Sequence, residues 1–564
     1  MRQLWIVGAN FNRLLTRWRA RVAPGLTARA SVDKIGAPCR ETGAVTTPAT
    51  PHCRGPLLPG LAGALALVFS GVAHAQFENA PSPSEPENEF DQAVANPIRE
   101  HEAPRTLQGA KRAAERDPTA AAGVPAGVLQ AGNLSAWPQL FAAPGLTIRG
   151  SLTGTLGLFS MGENAFSLPP SQVTRGYVKN PNWAEFFVEP GLTAQYQLTP
   201  AVQFYGGAAY METATRGTDY AGNANTWHGD MEQLYAGVRW TDAASGLAVD
   251  ASYGQQDFAV GRNLLISAGA DNGPQRGADY MGPRSAWANA ALLKATWRDF
   301  TATGFWLKPN ETTSGHTGTR LEGINVEWLS TGPLRLAGMY VYVPQSDIVT
   351  RDGLNVYNVR VRWHPFPAAP NAWLQGEAVW ERKANVDADG WYVALNCNAL
   401  DTPWKPLVTA RYASFSGDKP GSAAWEGFDP LYFGGSDPDW YQGKIGSVQF
   451  NNTNLDTIAV SLTLTPTEKS ILQFVYLNFA SGQVNSPLAI PAAGQPVPVG
   501  GGVPAKALAN EFDAIYTYTF SKQANANAFV GYAAPGAGYR QLYASQGGSA
   551  QAWWVVGAQL NFSY

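Results

Sequence analysis

The chain has 564 residues, a formal net charge of −3 and only 15 % charged residues, against the roughly 25 % usual for soluble globular proteins. Aromatics reach 12 % and there are 59 glycines, yet mean hydropathy is −0.18. These values exclude a strongly basic nucleic-acid binder, a disulfide scaffold (there are three cysteines) and a bundle of membrane helices, and they fit a chain whose apolar and polar residues alternate.

Residues 57–73, LLPGLAGALALVFSGVA, are the one long apolar run. Arg54 precedes it, and Ala73-His74-Ala75 is a small-x-small cleavage site. The pattern predicts a secretory signal peptide over residues 1–75, cut before Gln76. Its basic region is unusually long and Arg-rich, so translation is expected to begin further in, near Val45. Removing nine Lys/Arg and two Asp/Glu with the leader leaves 31 and 41, a net of −10, and one cysteine, Cys397. Residues 76–140 are rich in Pro, Glu, Ala and Arg and show no strand alternation. They are expected to form a flexible periplasmic tail.

From residue 141 to the end the text changes to short alternating runs. In the last segment Trp554, Val556, Ala558, Leu560, Phe562 and Tyr564 share one face, and Gln559, Asn561 and Ser563 the other. A period of two with one wholly apolar face describes a strand with one side in lipid. The same pattern recurs along the chain and gives nineteen candidate strands. Short turns should alternate with long loops, and this order breaks unless residues 441–450 belong to a long outer loop at 418–452. The reading is therefore an all-β, transmembrane, antiparallel barrel of about 18 strands. The terminal Tyr564 on an amphipathic strand predicts recognition by the barrel assembly machinery, with outer-membrane lipid around the barrel.

A barrel of this size leaves a water-filled interior, whose inward residues decide what passes. Alternation turns Arg149, Arg239, Lys294, Arg298, Arg335, Arg360, Arg362 and Arg411 inward, with Glu185, Glu189, Asp250, Glu327, Glu377 and Asp513. Arg335, Arg360 and Arg362 fall on adjacent strands as a local basic wall. Arg360 and Arg362 have no acidic neighbour on their own strand. Arg262, Arg276 and Arg284 sit on the 259–284 loop and would join the wall if that loop folds inward. Guanidinium groups in such a row suit an anionic chain handed from one to the next. The plainer alternative is that each Arg pairs with a lumen Glu to stay neutral.

Two segments carry a family resemblance. Tyr253–Trp297 holds YGQQDFAVGR, RGADYMG and a later Arg. Ala410–Gly482 holds FDPLYFGGSDPDWYQGKIG. Both resemble the alginate export family of outer-membrane barrels. The resemblance implies an eighteen-stranded monomeric pore passing an anionic polysaccharide through an arginine-lined constriction. Arg276, Arg284 and Arg411 fall inside the matched motifs. The family's Gly-Arg-Gln is Gly254-Gln255-Gln256 here, so one expected arginine is missing.

The resulting expectation is a Gram-negative outer-membrane pore for an anionic polysaccharide or oligosaccharide. Its candidate lining residues are Arg239, Arg276, Arg284, Arg335, Arg360, Arg362 and Arg411. It needs no cofactor, metal or nucleic acid, and export would add a periplasmic scaffold as partner. An uptake porin for small anions or oligosaccharides uses the same physics. An enzyme would need a base beside a nucleophile. The barrel region offers only His228, His316 and His364, without a serine motif or metal spacing, so no active site is expected.

Overall fold

The computed structural model describes residues 138–173, 176–330, 332–366, 369, 371–434, 440–493 and 502–564. The expected leader, and the tail up to residue 137, lie outside the described residues. The strands run β1 (Gln139–Ala143), β2 (Leu146–Gly162), β3 (Asn182–Thr199), β4 (Val202–Gly217), β5 (Trp227–Asp242) and β6 (Leu247–Gln256). They continue as β7 (Trp287–Trp297), β8 (Phe300–Lys308), β9 (Arg320–Trp328), β10 (Leu334–Gln345), β11 (Asn355–Trp363), β12 (Ala372–Lys383) and β13 (Val386–Asn398). The last are β14 (Leu407–Phe415), β15 (Leu455–Thr467), β16 (Ser470–Ala480), β17 (Ala507–Ser521), β18 (Ala524–Pro535) and β19 (Trp553–Ser563).

From β2 onward each strand pairs antiparallel with the next, and β19 returns to pair with β2. Eighteen strands therefore close. Closure is obligatory in lipid, where an open edge would leave a row of N–H and C=O groups without partners. The seam runs from Trp554 opposite Gly162 to Ser563 opposite Thr153. Below it, Tyr564 and Leu152 exchange both backbone hydrogen bonds at 2.9 Å. β1 then takes over the same edge of β2, with Gln139 opposite Arg149. This short strand had no signal of its own in the sequence, and it starts two residues ahead of the expected barrel boundary.

Alternation sets the two faces as expected. On β19, Trp554, Val556, Leu560 and Phe562 are exposed while Val555, Gln559 and Asn561 are buried. Residues 441–450 form no strand; Gly446–Gln449 is a single helical turn inside the long loop between β14 and β15. One inward assignment fails. Arg298 lies in the two-residue turn between β7 and β8, exposed and at φ +52°, with its guanidinium 4.5 Å from the centre of the Trp297 ring. A turn breaks the period of two, so alternation cannot be carried through it.

Two of the long loops fold back into the barrel: the segment between β6 and β7, and the segment between β14 and β15. They join each other. Tyr432 donates its N–H to Leu265 O, and its own carbonyl accepts Ser267 N–H, both at 2.9 Å. Tyr280 Oη donates to Lys444 O at 3.1 Å. The buried apolar side chains Leu264, Ile266, Trp287, Phe428 and Trp440 belong to these loops or their roots. The core of this molecule thus sits inside the barrel, under the long-loop end.

Candidate pore constriction

The infolded loops are held by carboxylates that the strands turn inward. Glu185 on β3 accepts Tyr280 N–H and Met281 N–H at 3.1 and 2.8 Å, and Trp183 Nε1–H at 2.9 Å. Glu232 on β5 accepts Ser285 N–H and Ala286 N–H, both at 2.9 Å. Glu381 on β12 accepts Asp429 N–H at 2.8 Å. Glu511 on β17 accepts Ile445 N–H and Gly446 N–H at 2.8 and 2.7 Å. Asp513, two residues on, accepts the Tyr441 hydroxyl at 2.5 Å and Lys444 N–H at 3.1 Å. A loop that leaves water must satisfy its backbone donors, and carboxyl oxygens are strong acceptors for them.

The two motif segments become intelligible at this point. Asp429 of the Phe-Asp-Pro-Leu-Tyr run forms a buried two-pronged ion pair with Arg351, at 2.8 and 2.6 Å. Burial alone would lower the Arg351 pKa, but Asp429 raises it above the ordinary value. Phe428 packs on Phe415 with ring centroids 5.2 Å apart. In the Trp-Tyr-Gln-Gly run, Trp440 packs against Tyr392 and Phe415, and Tyr441 docks on Asp513. Gly443 has φ +96°, and a Cβ there would lie 2.5 Å from the Glu511 carboxylate. Only glycine lets the backbone pass that close.

Arg276 and Arg284 come inward with their loop, but protein groups engage both. Arg276 donates to Asp271 O, Asn310 O and Asn310 Oδ1 at 2.7, 2.8 and 2.7 Å. Burial, then the nearby Arg284 charge, lowers its pKa. Arg284 is fully buried, paired with Glu232 at 3.1 Å and bonded to Met211 O at 3.0 Å. Arg239 pairs with Asp250 on the next strand at 2.8 Å. These three act as fasteners in the geometry observed.

Of the remaining candidates, Arg335, Arg360 and Arg362 line the lower lumen and Arg411 stands above them. Arg335 on β10 and Arg362 on β11 stand directly opposite each other. Arg362 also lies over Trp373, 4.8 Å from the ring centre. Arg360 reaches across Ala337 to Glu327 on β9 at 3.3 Å, and bonds Asn325 and Asn358. Its acidic partner therefore comes from two strands away, which a reading of its own strand could not find. Arg411 on β14 lies 4.1 Å over Trp440 and donates to Tyr441 O at 2.7 Å. Among the described residues no carboxylate is within ion-pair distance of Arg411. Arg262, at the tip of the β6–β7 loop, reaches Gln375 on β12 at 3.4 Å. The adjacent Gly261 rests against the Arg360 side chain. The loop tip thus delivers Arg262 to the basic wall from the far side of the barrel. The position of the missing family arginine, Gln255, donates to Met231 O at 2.7 Å and points away from this cluster.

A family model described as alginate export matches residues 195–552. The chain belongs to the alginate export family. Its barrel is that of an outer-membrane channel. It is similar in fold to OccK5 (OpdH) of Pseudomonas aeruginosa, at 11 % identity and a TM-score of 0.45 over 73 % of this chain and 97 % of that one. It is also similar to the outer membrane protein OprD of the same organism, at 12 % identity and TM-score 0.45, covering 74 % and 93 %. Acinetobacter baumannii OccAB1 gives 12 % identity and TM-score 0.44, covering 74 % and 96 %. No curated protein matches the sequence.

Proposed function

We propose that the channel passes an anionic polysaccharide or oligosaccharide by passive diffusion along an arginine-bearing track. The observation that carries this reading is Arg411, which lies over Trp440 with no carboxylate among the described residues within ion-pair distance, above the lumen-facing Arg335, Arg360 and Arg362. A half-buried guanidinium without a counter-charge is costly, and an anion entering beside Arg411 supplies one. The family supports the same solute class. Uptake of small anionic solutes remains compatible with the same lining, because a passive pore takes its direction from the gradient.

The test is the double variant Arg362→Ala, Arg411→Ala in planar bilayers and in a liposome flux assay with an oligouronate. One charge at 4 Å in water is worth about 1 kcal/mol, roughly fivefold in local anion concentration. The variant should therefore shift the reversal potential toward cations and slow oligouronate flux several-fold. Unchanged selectivity and flux would reject the track.

A further inference from the structure

We propose that the periplasmic vestibule is the capture end for the polyanion, so that the channel binds and conducts asymmetrically. The inference rests on the polyanion reading above. It comes from where the inward charges stand along the strands. Short turns mark the periplasmic end and long loops the outer end. Arg149, Arg239, Lys294, Arg335, Arg360 and Arg362 all face inward within three residues of a short-turn end of their strands. Only Asp250 and Glu327 face inward in the same band. The turns below add no bias: Asp242, Asp299, Asp401 and Glu468 are matched by Arg298, Lys405, Lys469 and Lys522.

The outer band is built differently. Among the described residues Glu185, Glu232, Glu381, Glu511 and Asp513 face inward there, Lys383 at the end of β12 shares their face, and Arg284, Arg351 and Lys444 of the loops lie beside them. Each of these carboxylates accepts backbone N–H groups of an infolded loop. Folding the loops in requires acceptors at the outer end, and this places most of the inward strand carboxylates there, engaged by loop groups. The basic half is left below, open to the periplasm. Arg411, Glu189 and Glu377 lie between the bands.

Fixed charge of one sign at one mouth concentrates counter-ions there and makes the current depend on the direction of the field. The experiment uses the full mature chain in planar bilayers, with a biotin acceptor inserted after the exposed Gly547 so that streptavidin identifies the outer side. Dextran sulfate is added to one side at a time in dilute KCl. Half-block from the periplasmic side should need about tenfold less polyanion than from the outer side. The asymmetry should vanish in about 1 M salt, where the Debye length is roughly 3 Å. It should also shrink in Arg149→Gln, Lys294→Gln and Arg362→Gln. Equal block from both sides, or stronger block from outside, overturns the proposal and leaves the polyanion reading intact. Absence of block from either side overturns both. Rectification persisting in KCl alone would then show that the failure concerns the solute rather than the placement of charge.

Discussion

At the scale of single residues, the lumen carboxylates change meaning once the loops are in place. By count they balance the arginines; in the structure several serve as acceptors for loop N–H groups. The Arg351–Asp429 pair ties two outer loops to each other. Removing one partner of a buried pair leaves the other uncompensated, at a cost of about 3–5 kcal/mol. Arg351→Met should therefore release residues 426–434, measured as a new protease cut in that loop with the barrel intact. Asp279, on the β6–β7 loop, is bonded by Tyr220 at 3.1 Å and faces Asp219 and Asp271. Burial first, and Asp219 second, push its pKa from 3.8 to about 6. Between those values the docked loop holds a proton that the released loop has lost. Docking is then strongest below the lower value, weakens as pH rises through the window, and stays weaker above it. Hydrogen-exchange protection over residues 271–286, taken relative to the intrinsic rate at each pH, should be lower at neutral pH than near pH 4. Asp279→Asn should reduce that difference, and the buried Asp219 and the neighbouring Asp271, raised in the same direction, should retain part of it.

At the scale of elements, the strands were legible because the period of two is a local property that lipid on one side and water on the other enforce residue by residue. Even the false strand at 441–450 betrayed itself through loop parity. The infolded loops were legible only as long. Their partners, Glu185 for Tyr280 and Glu511 for Ile445, lie 95 and 66 residues away in sequence. Gly443→Ala tests this docking. A residue with a side chain at that φ costs about 1–2 kcal/mol, and its Cβ would push on Glu511. The Tyr441–Gln449 segment should come off the wall, seen as larger and noisier single-channel current with unchanged folding.

At the scale of the whole molecule, the barrel encloses a core made of its own loops, and their removal should widen the path. Replacing residues 259–284 with a short Gly-Ser turn should raise conductance. It should also lower anion selectivity, because Arg262 leaves with the loop. A channel of unchanged conductance would mean that the loop does not obstruct the lumen. The sequence by itself determined the class of fold, the strand count, the family and, within the strands, which residues face inward, since these follow from short-range periodicity and from motifs. The tertiary structure alone decided what each inward charge meets. Arg276, Arg284 and Arg239 are engaged by loop carbonyls and by acids on other elements, and Arg360 by an acid two strands away. Arg411 and Arg262 instead meet the basic wall. Those outcomes depend on distances between segments far apart in the chain, which no period along the sequence encodes.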